Sequence, residues 1–311
     1  MTLSGHEEPW RAWRAALAGE RMHHAWILAG RRGLGKARFA LAAASELVGG
    51  DMAPAAHPDI LVLAPLPPGV DEDGKPTKGK RNIAIGQVRQ MQRRLTTRPT
   101  LGARRAVIFD AADDLETGAF NALLKSLEEP PQGTFFLLVA HRPGRLPATI
   151  RSRCRALRFA ELDDAAIEGA IDAEAPGTSR EAKSAAIAAA GGSPGAALDF
   201  IARELGTAQR LMARIAQQGD PDFALRGALI GEVGQRPERE QQLAVLEAAR
   251  RVLVDDVSRA DRGRQARIIE AHAALSRLIA QAPTANFDPT ALVLEIGGLL
   301  ASVADPREAA A

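Results

Sequence analysis

The residues GRRGLGKA, Gly30 to Ala37, stop one hydroxyl short of a phosphate-binding loop. The pattern G-x-x-x-x-G-K-[ST] is met by Gly30, Gly35 and Lys36, with Gly33 between them. Glycines let backbone N–H groups curl around phosphate at a helix N-terminus, and the lysine adds a point charge. The next position ordinarily gives a hydroxyl to magnesium, but here it is Ala37. The usual companion is an apolar strand ending in Asp-Glu. In AVIFDAADDL it is reduced to Asp110 and Ala111, and a lone strand-end aspartate is an ordinary carboxylate. No cofactor is required by this residue set, and Gly30 to Lys36 retain at most weak ATP or ADP binding.

Other residues offer charge without obvious catalysis. Lys and Arg total 40 against 38 Asp and Glu, a net charge of +2, but the distribution is uneven. No acidic residue lies between Ile83 and Phe109, which hold Arg89, Arg93, Arg94, Arg98, Arg104 and Arg105. Pro130 to Ala160 is also acid-free and carries Arg151, Arg153, Arg155 and Arg158 among others. Such segments suit either a phosphate-facing surface or solvated faces balanced by acids elsewhere. Arg89, in GQVRQMQRRL, is the candidate for DNA contact, because it would sit near the phosphate-binding N-terminus of its helix. One cysteine, Cys154, excludes an internal disulfide and a multi-cysteine zinc site. His23, His24 and His57 have no partners at metal-ligand spacing, so no metal is expected.

The elements that must position these residues are legible in the hydrophobic pattern. AWILA (Ala25 to Ala29) reads as a buried strand feeding the loop, and KARFALAAASELV as the helix leaving it. DILVL (Asp59 to Leu63), AVIF (Ala106 to Phe109), FFLLVA (Phe135 to Ala140) and ALRF (Ala156 to Phe159) are further strands. Runs this continuously apolar suit a parallel sheet covered by helices on both faces. Phe120, Leu123, Leu124 and Leu127 lie on one helix face that Pro130 and Pro131 stop. Pro65 to Asn82 reads as an exposed loop or loose hairpin, and the terminal PREAAA as frayed. After residue 160 only helical patterns remain. There Leu243, Leu246, Leu253 and Val257 form one stripe and Ile268, Ala271, Leu275 and Ile279 another. Both read first as helix-packing cores and second as a partner interface.

Two strings, NALLKSLEEPP and LPATIRSRC, are specific enough to carry a resemblance, with HHAWILAGRRGLGKA and HPD (His57 to Asp59) in support. From about Trp10 to Phe159 the chain resembles bacterial clamp-loader subunits of the AAA+ class, and among them the delta prime family of DNA polymerase III. The resemblance implies an α/β AAA+ P-loop module of parallel sheet and flanking helices over residues 1–160. It implies an all-α lid over 161–205 and an all-α collar for oligomerisation over 206–311.

The resemblance also gives meaning to gaps. The motor subunits of this class have a Thr at the end of the fourth core strand, where Ala140 and His141 stand here. They have a lid arginine after a Gly-Ser pair, where GGSPGAAL places Gly195. With Ala37 and Ala111, four ATP-handling positions are altered. Many relatives hold four cysteines where this chain has GGDMAPAA, so no zinc is expected. The Ser-Arg-Cys motif survives in RSRC, and through it the resemblance makes Arg153 an arginine finger acting in trans on a neighbour's nucleotide.

The implied role is therefore a largely ATPase-inactive clamp-loader subunit. Its partners would be gamma/tau and delta subunits in a hetero-pentameric ring that loads a sliding clamp on primer–template DNA. An ATP-hydrolysing gamma/tau-type motor subunit is the first alternative, and a free-standing P-loop nucleotide kinase is one from another class. No apolar run reaches the roughly 20 residues of a membrane span, and no secretion signal is visible. A cytoplasmic protein is expected.

Overall fold

The computed structural model describes residues 5–67, 69–70, 76–77, 79–80, 82–234, 237–258, 260–282, 285 and 287–304. The chain forms two compact units, Met1–Ala166 and Ile167–Ala311. In the first, α1 (Glu7–Ala18), β1 (Ala25–Ala29), α2 (Lys36–Val48) and β2 (Ile60–Leu63) are followed by a two-stranded antiparallel pair, β3 (Gly69–Val70) and β4 (Pro76–Thr77). This pair falls in the segment read as an exposed loop or loose hairpin; residues 71–75 lie outside the described residues. Then come α3 (Ile85–Leu95), β5 (Arg105–Asp110), α4 (Thr117–Glu128), β6 (Thr134–Ala140), α5 (Ala148–Arg151) and β7 (Arg155–Arg158). All five expected strands are present, with ends within a residue of those read from the pattern.

The main sheet has the order β2-β5-β6-β1-β7 and every pair is parallel. Side chains alternate across a strand, so the continuous apolar runs supply both faces. Ile27, Val107, Phe109, Phe136 and Leu138 face Val88 and Met91 of α3 and Leu123 and Leu127 of α4. Phe120 and Leu124 pack against the same cluster from α4, as its stripe requires. On the other face Trp26, Leu28, Ile108, Leu137 and Val139 meet Trp13 of α1 and Phe39, Ala43 and Leu47 of α2. Burial of each large apolar side chain contributes roughly 1.5–3 kcal/mol.

The second unit is helical: α6 (Asp164–Glu174), in which the division between units falls, α7 (Arg180–Ala190), α8 (Pro194–Ala202), α9 (Gly206–Gln218), α10 (Ala224–Val233), α11 (Arg239–Val257), α12 (Arg262–Gln281) and α13 (Pro289–Ala301). Side chains of Ser179, Ser193, Asp261 and Asp288 accept the N-terminal amides of α7, α8, α12 and α13, and proline follows the cap in α8 and α13. Ile268, Ala271, Leu275 and Ile279 are all buried, as are Leu246 and Leu253, while Leu243 and Val257 are half-buried. The stripes are packing cores. The terminal PREAAA lies outside the described residues.

One pair corrects the reading of the basic segment. Arg105 does not face solvent: its guanidinium is buried against the fully buried Asp59 carboxylate at 3.3 Å. It also donates to the carbonyls of Arg94 (2.8 Å), Thr97 (3.1 Å) and Arg98 (2.9 Å), which collects the backbone leaving α3. Asp59 in turn accepts the amides of Thr100 and Leu101 at 2.7–2.8 Å. Burial opposes ionisation of Asp59, but these amides and Arg105 more than offset it, so its pKa lies below the ordinary carboxylate value.

Asp59→Ala is expected to destabilise the fold by about 3–5 kcal/mol, because it leaves a buried guanidinium uncompensated. The pH dependence has a defined sign. A depressed folded-state pKa adds stability that is fully present above the unfolded value of about 4 and is lost as pH falls through the lower folded value. Urea melts of wild type and Asp59→Asn between pH 7 and pH 2 check this: the gap between them should close on acidification.

Candidate functional site

The phosphate-type loop leaves β1 at its C-terminal end. Gly30 N–H donates to Ala140 O (3.2 Å) at the end of β6. Gly33 and Gly35 have φ of 82° and 78°, which lets the chain turn sharply into α2. A Cβ on Gly30 would meet the Phe159 carbonyl at 2.6 Å, so this glycine is required by packing as well as by the motif.

Lys36 is 2% exposed, and its ammonium donates to the Arg31 carbonyl of its own loop. Burial lowers its pKa to about 8, with partial compensation from Asp113 and Asp110. Burial raises the pKa of Asp110, opposed by the positive charges of Lys36 and Arg32. Asp113 holds the end of β6 through the amides of His141 and Arg142, both at 3.0 Å. His141 is kept neutral, its pKa lowered to about 4 by burial and then by Lys36. Among the described residues its Nδ1 has no hydrogen-bond partner.

The structure adds residues that sequence reasoning missed. His6 is buried with Nε2–H donating to Leu34 O at 2.6 Å, and its ring meets Phe159 edge-on at 4.8 Å. Burial lowers its pKa. Nothing in the local sequence marks His6, whose neighbours are 28 and 153 residues away in sequence. Asp113 and Asp114 had a signal, a pair of acids just beyond a strand end. Arg31 of the loop forms an ion pair with Glu161. Ala37 has no oxygen to offer a magnesium ion, and the Lys36 ammonium donates to a carbonyl of its own loop.

Arg153 lies elsewhere. Pro147 opens α5, whose Ile150 is buried under α4, and the Arg153 amide donates to Ile150 O at 3.0 Å. Its guanidinium Nη2 pairs with Glu128 Oε1 at 2.8 Å, and Nη1 donates to Thr149 O at 2.9 Å. The Arg153 side chain is 36% exposed. Two residues later Arg155 pairs in register with Trp26, near the start of β1, whereas Gly30 follows the end of β1. Four strand residues, on the order of 13 Å, thus separate that register from the loop. The structure does not bring Arg153 and Gly30–Lys36 together. Arg151 donates to Leu146 O (2.6 Å) and Arg155 lies over the Trp26 ring at 5.3 Å, so both also serve their own surface. Burial pushes the Cys154 thiol up to about 12, which makes it an inert packed group.

Arg89 is exposed on α3, one turn from the exposed Arg93. An open depression of about 450 Å³ continues this face between Gln90, Arg93, Arg94 and Thr97. The N-terminus of α3 is partly occupied already, since Glu116 accepts the Ile85 amide at 3.3 Å and Gln87 accepts that of Ala84 at 3.0 Å. His57 accepts the Asp59 amide at 3.1 Å, and His23 and His24 stack at 4.7 Å. Among the described residues no group of His, Cys, Asp and Glu could hold a metal ion, and no helix is long and apolar enough to cross a membrane.

Comparison with known proteins places this geometry. The family described as "DNA polymerase III, delta subunit" matches residues 5–163. The DNA polymerase III subunit delta' of Escherichia coli (strain K12) is 34% identical over 193 residues, 61% of this chain and 54% of that protein. Subunit delta' of Pseudomonas aeruginosa is 36% identical over 163 residues, 47% of this chain and 46% of that one. Subunit tau of Bacillus subtilis (strain 168) is 30% identical over 170 residues, 54% and 30% of the two chains. The chain thus spans about half the length of the delta' relatives it matches. A crystallised gamma subunit-related protein from Thermotoga maritima shares the fold, with a TM-score of 0.55 over 94% of this chain and 98% of that one at 15% identity. The parallel sheet, the incomplete loop and the family match over the sheet-bearing unit lead to one assignment: the chain belongs to the delta' family of DNA polymerase III clamp-loader subunits.

Proposed function

We propose that this chain is a clamp-loader subunit that does not hydrolyse ATP and lends Arg153 to the nucleotide site of a neighbouring motor subunit. The observation that carries the reading is the separation of the two charged groups. Lys36 is buried on its own loop, while Arg153 is half-exposed beyond the opposite end of β1 and cannot serve that loop. A guanidinium presented this way can donate paired hydrogen bonds to phosphate oxygens across an interface. The partners would be gamma/tau and delta subunits in a five-membered ring that loads a sliding clamp at primer–template junctions. Residues 161–205 would act as lid and 206–311 as collar. Gly30, Gly33, Gly35 and Lys36 would form a vestigial site with weak ATP or ADP binding at most. No zinc would be needed. The setting would be the cytoplasm, where replication takes place.

The isolated chain is expected to show no magnesium-dependent ATP hydrolysis, and Ala37→Thr alone should not create it, because Lys36 and the Asp110–Ala111 pair are unchanged. A wild-type turnover comparable to that of a motor subunit would instead favour the motor reading. Arg89→Ala should weaken primer–template binding by the assembled complex for all sequences alike and flatten the salt dependence. The slope of log K against log salt should become shallower by about 0.9 for each phosphate that Arg89 neutralises. An unaltered slope would remove Arg89 from the DNA path.

Arg153→Ala and Arg153→Lys should leave the subunit folded and assembled yet lower DNA-stimulated ATP hydrolysis by the whole complex. Lysine cannot replace the planar fork. A finger contributes about 10³–10⁵ in rate at a single site in other NTPases. A multi-site ring would lose less, because its other interfaces keep theirs. An assembled mutant ring with undiminished hydrolysis would leave Arg153 a structural role, through its bonds to Thr149, Ser152 and Glu128.

A further inference from the structure

Arg153 is already engaged on its own chain, and its partner suggests a second participant in the proposed trans reaction. Glu128 is the last residue of α4, directly after the buried Leu127, and Arg153 follows the buried Ile150 of α5. Leu127 and Ile150 belong to one core cluster, so both charged side chains project from elements fixed against each other. The carboxylate meets a single terminal nitrogen, Nη2, at 2.8 Å, while Nη1 holds the Thr149 carbonyl.

We infer that Glu128 is a positioning residue, a latch that holds the Arg153 guanidinium against its own subunit and releases it to the phosphates of a neighbour's nucleotide. This rests on the trans-finger reading of Arg153. The side chains are 36% and 49% exposed, and an ion pair this open to water is weak. A triphosphate offers more negative charge than one carboxylate and can take paired N–H donors in a closed interface. The latch therefore yields when nucleotide is present. When it is absent, the latch confines a long side chain near one rotamer and neutralises its charge. It acts as a competitor: each engagement of the finger must first break the pair.

The test uses complexes reconstituted with motor and delta subunits, clamp and primed DNA, with ATP hydrolysis as readout and assembly verified by gel filtration. Glu128→Gln keeps shape and removes the charge. It should raise kcat/KM of the complex by about 2- to 5-fold at low ionic strength, the scale of a half-exposed ion pair. The advantage should shrink toward unity as salt screens the wild-type pair. It should vanish in the Arg153→Ala background, which a purely structural role for Glu128 would not produce. Arg153→Ala alone separates the two levels. If it leaves hydrolysis undiminished, the finger reading and the latch fall together. If it lowers hydrolysis while Glu128→Gln leaves kcat/KM unchanged or reduced, or raises it equally without Arg153, the finger stands and the latch is refuted.

Discussion

The pairing of β1 between β6 and β7 is the constraint on which the rest of this chain depends. Because β1 is hydrogen-bonded on both edges and buried on both faces, it cannot tilt or slip without unpairing two neighbours and exposing Trp26 and Leu28. Its C-terminal end launches the loop at Gly30. Its N-terminal end is in register with Arg155 and so sets the level at which Arg153 leaves the surface. The two groups that could handle phosphate are thereby held at opposite ends of one rigid strand. A chain folded this way cannot turn its own arginine onto its own loop, and any use of Arg153 on a nucleotide has to be intermolecular.

Burial then divides the two cations by chemistry. An ammonium is a compact, strongly hydrated charge, and enclosing Lys36 lowers its pKa to about 8 while a loop carbonyl and nearby carboxylates keep it tolerable. Of the carboxylates in this cluster, Asp110 and Asp114 are raised by burial, and His141 beside them stays neutral. The cluster is a self-compensating patch of charge with no hydroxyl at position 37. Arg153, in contrast, keeps its charge at a surface where a half-exposed carboxylate balances it weakly.

Much of this was legible in the sequence because strands and helices announce themselves locally. AWILA and KARFALAAASELV coincide with β1 and α2 to the residue, and the alternation that feeds two faces is contained in runs such as FFLLVA. The contacts that complete the site were not legible, since they join residues far apart in the chain. His6 reaches Leu34 and Phe159 only because α1 packs under the sheet, and Glu128 meets Arg153 only because α4 and α5 share a core. Arg105 shows the opposite failure. In an acid-free segment it looked like surface, but Asp59, 46 residues earlier, lies beside it across the parallel β2–β5 pair and buries its charge.

The survival of the glycines has its own physical explanation. Gly30 has no room for a Cβ against the Phe159 carbonyl, and Gly33 and Gly35 turn through φ values that L side chains rarely adopt. These demands come from packing β1, β7 and α2 together, and they hold whether or not phosphate ever occupies the loop. Position 37 carries no such demand: in the second position of a helix, an alanine serves as well as a threonine. The glycines of GRRGLGKA are therefore required with or without a nucleotide, whereas nothing in the packing requires a hydroxyl at position 37, and the glycines by themselves say nothing about ATP.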